Sequence, residues 1–423
     1  MHERVRWNAL EQMYALLAPG VFAGLETLER LRGGTAEEAR WRRGYLPRAQ
    51  NPTFWFHGAS VGESLGSRIL ANLLAGRGYR FAAAYTSANR AGIEYLHRCE
   101  SGNPLVALLP SDTLASVTRA IERLQPRGIF LVETELWPRL IFEAHRRRVP
   151  IFSVAARIYP RDYPWLRVIR PFIARTLRRL TAIVAQNDVE RRRFLSLGAV
   201  PERCFSAGNL KYAGPTPSAG KDRELAAELG VQPNECVVAL ASLHRDEVAM
   251  LAKTIDCIVG HGFRVIVAPR HPQGAELLTH LASLHRWNLL RRSDGRIRSD
   301  WKILVLDTFG ELARFFRIAV CALVGGGFGP HGGHNPFEPV FAGIPVAFGK
   351  HFHHFASEAK ALLERTPEAL IENVEGAASL LLRWLDSAEQ RDKAFERQHA
   401  ALPDGEAIAE SYASIIERAL KQP

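Results

Sequence analysis

Short apolar runs punctuate the chain, and between them apolar residues return at every third or fourth position. In the first half the runs fall at 53–56, 79–85, 105–109, 128–132, 150–154 and 182–185, with helical spacing in intervening stretches such as 64–76 and 170–180. The second half restarts the alternation at 237–241, 263–268, 302–306, 320–324 and 345–348. Strand–helix alternation at this spacing predicts parallel, doubly wound sheets. Gly, Pro and Ser accumulate in "GNLKYAGPTPSAGKD", residues 208–222, which puts an interdomain linker there. Two such domains facing each other leave a cleft at the carboxyl ends of their strands, a usual place for a ligand.

A different pattern opens the chain. Leu10, Tyr14, Leu17, Val21, Leu25 and Leu28 share one face of a helix, with Arg4, Arg6, Arg30 and Arg32 at its ends. The uncharged stretch 12–25 is fourteen residues long and contains Pro19, whereas a membrane span needs about 20 apolar residues. Glu3 and Glu11 flank the start and no small-residue cleavage site follows, so a signal peptide is not expected. Such a face either lies in a membrane interface or packs on the protein itself.

Charge sharpens the picture. Of the net +11, the segment 139–193 alone supplies +10, from fourteen Arg, no Lys and four acids. Part of this is a solvated helical face, but so dense a run of arginines attracts phosphates on nucleic acid, lipid or a soluble ligand. The five cysteines (Cys99, Cys204, Cys236, Cys257, Cys321) are scattered without a CxxC pair, which predicts neither a disulfide framework nor a thiolate metal site.

Three stretches carry candidate chemistry. In "TFWFHGASVGESLG", residues 53–66, Ser60 and Glu63 have the spacing of a capping box, yet Gly62 in the first helical turn and His57 at the strand end suit a site. From the residues alone, Glu63 is a cap or a base. In "VGGGFGPHGGHNPFEPVFAG", residues 324–343, a strand leads through a glycine-rich loop to a helix with Asn335 as N-cap, Pro336 at N1 and Glu338 at N3. The loop lets a ligand approach backbone, and the helix start offers amides to a phosphate. Glu338 caps or accepts from a ribose diol. "VAPRHP" puts Arg270 just after a strand, and "LDTFGEL" puts Thr308 and Glu311 in another capping box beside Gly310. The histidines at 331, 334, 351, 353 and 354 lack the i, i+4 spacing of a zinc pair, so no metal is expected.

Taken together, "FHGASVGE", "LVETELWP", "VAARIYPRDY", "AQNDVERRRFLSLGA", "GNLK", "PRHP", "DTFGEL" and "GGHNPFEP" resemble the 3-deoxy-D-manno-octulosonic acid (Kdo) transferases of lipopolysaccharide assembly over nearly the whole chain. The resemblance implies an α/β fold of the GT-B type, two Rossmann-like domains facing each other across a cleft. It divides the chain into an N-terminal membrane-associating segment and lead-in (1–50), an acceptor-binding domain (51–210), a linker (211–222) and a CMP-sugar-binding domain with C-terminal helices (223–423). It further implies transfer of Kdo from CMP-Kdo to a hydroxyl of a lipid A precursor, with inversion, needing neither metal nor cofactor. By motif position Glu63 corresponds to the catalytic base, and Glu133 and Lys211 to groups that stabilise the transition state. Pro269 and Arg270, Phe309, Gly310 and Glu311, and Asn335, Pro336, Phe337 and Glu338 correspond to CMP-binding segments. The implied place is the cytoplasmic face of an inner membrane, peripheral or monotopic. Departures include "ASLHRDE" (241–247), where Ser-Thr-His-x-Gly-Glu is more usual, and Ala155, where Asn is usual. Two other readings of the same features are a GT-B enzyme using a UDP-sugar and a basic nucleic-acid-binding protein. The second lacks a reading module and interleaved stacking aromatics, so no nucleic acid is expected.

Overall fold

The computed structural model describes residues 9–49, 51, 53–100, 104–214, 221–295, 298–308 and 310–421. Arg4, Arg6 and Phe309, the side chain of Leu10 and residues 215–220 of the expected linker lie outside them. The chain divides into two compact units, 1–215 together with 403–423, and 216–402.

The first unit is built on seven parallel strands: β1 (Thr53–His57), β2 (Ala82–Ser87), β3 (Leu105–Leu108), β4 (Pro126–Val132), β5 (Ile151–Ala156), β6 (Ala182–Ala185) and β7 (Cys204–Ser206). Their order is β3-β2-β1-β4-β5-β6-β7, so the winding reverses between β1 and β4. Phe54, Trp55 and Phe56 show why β1 sits centrally. Phe56 stacks on Phe130 and Phe130 on Phe152, each with ring centroids 5.0 Å apart, while Trp55 faces the opposite core with Ile129 and Leu131. Residues buried on both faces are what a parallel sheet under two helical layers requires.

The second unit repeats the design with β8 (Val237–Leu243), β9 (Arg264–Pro269), β10 (Leu289–Arg291), β11 (Ile303–Val305), β12 (Cys321–Val324), β13 (Val346–Gly349) and β14 (Leu370–Ile371). The order β10-β11-β9-β8-β12-β13-β14 puts the reversal between β8 and β12. Ligands in open sheets of this kind bind outside the carboxyl ends of the strands at such a reversal. The eleven expected runs all carry strands, although the second begins at Ala82 and not at 79. β7, β10 and β14 were not expected, being only two or three residues long.

The C-terminal element differs from expectation. The helix Gly405–Lys421 belongs to the first unit, not to a second domain running to 423. Its Ile408, Tyr412 and Ile416, four residues apart, are buried in that unit's core. The Tyr412 hydroxyl accepts the N–H of Ala155 (3.2 Å) and donates to the carbonyl of Gly208 (3.0 Å). Helical spacing marks an apolar face without saying which core it covers. On the N-terminal helix Ala9–Leu31 the expected apolar face is shared between the protein and solvent. Tyr14 turns inward, donating to Asp112 at 2.5 Å and packing on Phe172, and Phe22 meets Trp137. Met13, Leu16, Leu17, Val21, Leu25 and Leu28 remain exposed. Among the described residues no helix is long and apolar enough to cross a membrane.

Candidate active site

In the first unit the carboxyl ends of β1 and β4 bring three expected residues together. After β1 the chain turns at Gly58, where a Cβ would lie 2.6 Å from the backbone of Glu63. Ser60 then caps the helix Val61–Gly76, accepting the N–H of Glu63 at 3.3 Å, and the Glu63 carboxylate accepts the N–H groups of Ala59 and Ser60. The capping box is present, but it does not exhaust what Glu63 does. The side chain is 7 % exposed and looks toward Glu133 and Glu135. Burial first, then the charges of Glu133 and Glu135, push its pKa up to about 7 against the pull of the two backbone donors. A carboxylate poised near neutrality beside a cluster of acids is suited to take a proton.

Glu133 follows β4 in the left-handed region, with φ +64°, and its N–H donates to the carbonyl of Val154 at 2.9 Å. A side chain held there costs about 1–2 kcal/mol, a kind of strain that collects at functional sites. The conformation aims the Glu133 carboxylate at Lys211, whose Nζ lies 2.7 Å away. Lys211 sits on the short turn Leu210–Ala213, begun by Asn209, whose side chain accepts the Lys211 N–H. The same lysine accounts for Gly62, because a Cβ at that position would stand 3.2 Å from Nζ. "HGASVGE", "ETELWP" and "GNLK", far apart in sequence, thus meet around one Lys–Glu pair and one raised carboxyl.

His57, marked by its place at the strand end, supports this cluster through a partner the sequence reading did not name, Glu135. His57 is fully buried; its Nε2 lies 3.0 Å from Glu135 and its Nδ1 3.0 Å from the carbonyl of Thr86. Glu135 also accepts the indole N–H of Trp137 at 2.6 Å. Burial works to raise Glu135, but these donors outweigh it and hold the carboxyl below its ordinary range. The signal was available: His57 and the second acid of "ETELWP" stand at the ends of neighbouring strands.

The second unit gathers another set of expected residues at its carboxyl edge. Pro269, Arg270 and Gly310, with Ser242, Thr308 and Asp307, line a cavity of about 250 Å³. Glu311 is turned away from it into an ion pair with Arg292 at 3.0 Å, and it stands as the N-cap of Leu312–Phe316, touching Thr308 through the carboxylate. Its place corrects the expected capping box. Asn335 is not the N-cap of the next helix, Phe337–Phe341; Pro336 is, and the Asn335 side chain instead accepts the N–H of Phe337 at 3.1 Å. The glycine-rich segment simply turns one residue later than its Asn-Pro suggests. Asn335, Pro336, Phe337 and Glu338 do not line the cavity, and Phe337 is buried in the unit. The two segments are nonetheless neighbours. The charge of Arg270 is the second cause, after burial, that lowers His334 of the glycine-rich loop to about 4.

Glu247, within the atypical "ASLHRDE", is the residue that shapes this loop. It lies at N3 of the helix Arg245–Met250 and is fully buried. Its two oxygens accept N–H groups from His244 (3.0 Å), Gly326 (2.7 Å), Phe328 (2.9 Å) and Gly329 (3.3 Å). The His331 ring stacks on His244 at 3.8 Å and reaches Asp246 at 2.9 Å.

Residues 37–214 match the family described as 3-deoxy-D-manno-octulosonic-acid transferase (kdotransferase). The chain is 26 % identical over 367 residues to the 3-deoxy-D-manno-octulosonic acid transferase of Haemophilus influenzae, covering 83 % of this chain and 84 % of that protein. It is 29 % identical over 359 residues to the transferase of the same name from Bordetella pertussis, covering 81 % and 83 %. Among solved structures it is similar to a glycosyltransferase of Rickettsia africae, with a TM-score of 0.61 at 12 % identity over 89 % of this chain and all of that one. It is also similar to a putative UDP-N-acetylglucosamine 2-epimerase of Listeria monocytogenes, with a TM-score of 0.62 at 14 % identity over 88 % and 97 %. At such identities the two structures speak for the fold alone.

Proposed function

We propose, from the likeness to Kdo transferases and the acid cluster of the first unit, that this chain moves Kdo from CMP-Kdo to a hydroxyl of a lipid A precursor, with inversion. The first unit takes the acceptor and the second holds the nucleotide. In a single displacement the acceptor oxygen attacks the anomeric carbon as its proton passes to Glu63, and the bond to the CMP phosphate breaks with its electron pair leaving on phosphate. The observation that carries this reading is the Glu63 carboxyl, raised to about 7 and set beside the Glu133–Lys211 pair. A base near neutrality is ionised often enough to accept a proton and basic enough to want it. Glu133 and Lys211 stabilise charge at the reacting centre, while Arg270, Gly310 and the segment Asn335–Glu338 hold the CMP portion. Arginine and backbone donors meet the leaving phosphate, so the transfer runs without a metal.

The exposed row Met13, Leu16, Leu17, Val21, Leu25 and Leu28 supports attachment to the cytoplasmic face of an inner membrane by a helix lying in the interface. The same helix is held to the protein by Tyr14 and by ion pairs of Glu11 with Arg175 (3.2 Å) and Arg179 (3.7 Å).

The test is transfer of labelled Kdo from CMP-Kdo to a tetraacylated lipid A precursor, with and without EDTA. Transfer that persists in chelator supports the reading; no transfer, with UDP displacing CMP from the protein, favours a UDP-sugar enzyme of the same fold. Sedimentation with anionic vesicles tests the attachment. Leu17→Gln with Val21→Gln should release the protein, and retention equal to wild type would place the contact elsewhere.

A further inference from the structure

The amino ends of β5 and β6, at the opposite edge of the first sheet from Glu63, hold a second concavity that the proposed reaction does not use. It has a volume of about 440 Å³ and is lined by His145, Arg148, Arg179 and Arg203, with Pro150 and Thr181 at its base. Pro150 immediately precedes β5 and Thr181 precedes β6. No carboxylate lines it.

Three separate segments deliver the four basic groups. His145 and Arg148 come from the end of the helix Pro138–Arg146, Arg179 follows the helix Arg170–Leu177, and Arg203 comes from the turn Pro201–Arg203 before β7. Cations at helix C-termini are ordinarily explained by the macrodipole. That explanation covers the first three groups singly, but not their convergence with Arg203 into one hollow. Arg179 is shared with Glu11, whereas the Arg148 and Arg203 guanidiniums make no ion pair with any described residue. The residues crowd one another: burial, then the charges of Arg179 and Arg203, lower the pKa of His145. Arg148 also stands at φ +57°, at a helix end where the helices Val61–Gly76 and Asp188–Ser196 use Gly78 and Gly198. A side chain is kept where glycine would cost less.

We infer that this hollow binds a phosphate group. Three planar guanidiniums offer forked donors that match phosphate oxygens, and a dianion would relieve the repulsion among them. The group is carried by a lipid headgroup or by a soluble phosphate, and the two sources separate experimentally.

Full-length protein is titrated calorimetrically with inorganic pyrophosphate and floated with phosphatidylcholine vesicles with and without phosphatidic acid. The double variant Arg148→Asn, Arg203→Gln is compared, since Asn tolerates the left-handed backbone. A charge-matched control replaces Arg167 and Arg192, which lie outside the hollow, by Gln. Pyrophosphate also fits beside Arg270, so the readout is the binding lost in the double variant and kept in the control. The expected loss is about tenfold to a hundredfold in affinity. Loss in the vesicle arm alone assigns a lipid headgroup, and loss in the calorimetric arm assigns a soluble phosphate. Both substituted residues are exposed and outside the acid cluster, so transfer to a detergent-dispersed acceptor should be unchanged. If the double variant melts early, Arg203→Gln alone serves. Binding by the variant equal to that of wild type in both arms, or an equal loss in the control, overturns the inference.

Discussion

Two glutamates occupy the same place in the two sheets. Glu63 stands at N3 of the helix after β1 and Glu247 at N3 of the helix after β8, and each strand borders the reversal of its sheet. Both close a capping box onto the turn before the helix. The neighbouring strand decides what else each does. Across the reversal Glu63 meets the carboxylates of "ETELWP", and only two N–H groups hold it. Glu247 meets the glycine-rich loop after β12 and receives four. One carboxylate is therefore left with like charges and a raised pKa, while the other is saturated with donors and organises a loop. A capping glutamate becomes a chemical group when what faces it is acid, and a structural one when what faces it is amide.

The strongest way to break this comparison is to neutralise the first member. Glu63→Gln keeps the shape and one acceptor oxygen for the cap but cannot take a proton. Kdo transfer should fall by about 10²–10⁴ in rate, while CMP affinity and melting temperature stay close to wild type. Transfer near the wild-type rate would return Glu63 to the capping role that Glu247 plays.

In the second unit the corresponding loss should appear in binding. Arg270→Ala removes the cation that lines the cavity beside Gly310. Removing a charged donor should weaken CMP by about 1.5–3 kcal/mol, read by calorimetry, with little change in melting. Glu247→Gln should do something different. The amide's NH₂ has to face N–H donors it cannot accept from, so stability should drop by about 1–3 kcal/mol, with weaker CMP binding as the loop relaxes. Unchanged melting in Glu247→Gln would mean the four hydrogen bonds do not hold the loop.

These contrasts also explain what the sequence made legible. The alternation of apolar runs is local, and it located eleven of the strands and the parallel sheets. Strand-end placement raised Glu63 and Arg270 as candidates, because strand ends in such sheets sit along one edge, whereas Glu133 and Lys211 came only from the family resemblance. The role of Glu247 was hidden because its four partners come partly from residues about eighty positions away. For the same reason nothing local assigned the helix Gly405–Lys421 to the first unit, since Tyr412 finds its partners at Ala155 and Gly208. Gly62 looked costly in a helix until Lys211 came to lie against it. Partner identity across a fold, unlike periodicity, is not written in any one stretch.

The smallest expected effect is the most specific. Glu135 is ionised, held by His57 and Trp137, and its charge is the third cause, after burial and Glu133, that raises Glu63. As a base Glu63 works ionised, so kcat/KM should climb with pH through an apparent value near 7. Glu135→Gln removes one negative charge from beside Glu63 while keeping a group that His57 and Trp137 can reach. The ionised form of Glu63 then becomes easier to reach, so the acid limb should move to lower pH. Glu133 still raises Glu63, so the limb should stop short of the ordinary carboxylate range. At saturating substrate and high pH the rate should fall modestly, because a weaker base is a poorer acceptor. His57→Gln should move the limb the same way only if it also releases Glu135 from the site. A limb that stays in place in Glu135→Gln would show that Glu63 owes its raised value to burial and Glu133 alone, and that the acids of "ETELWP" do not act as a pair.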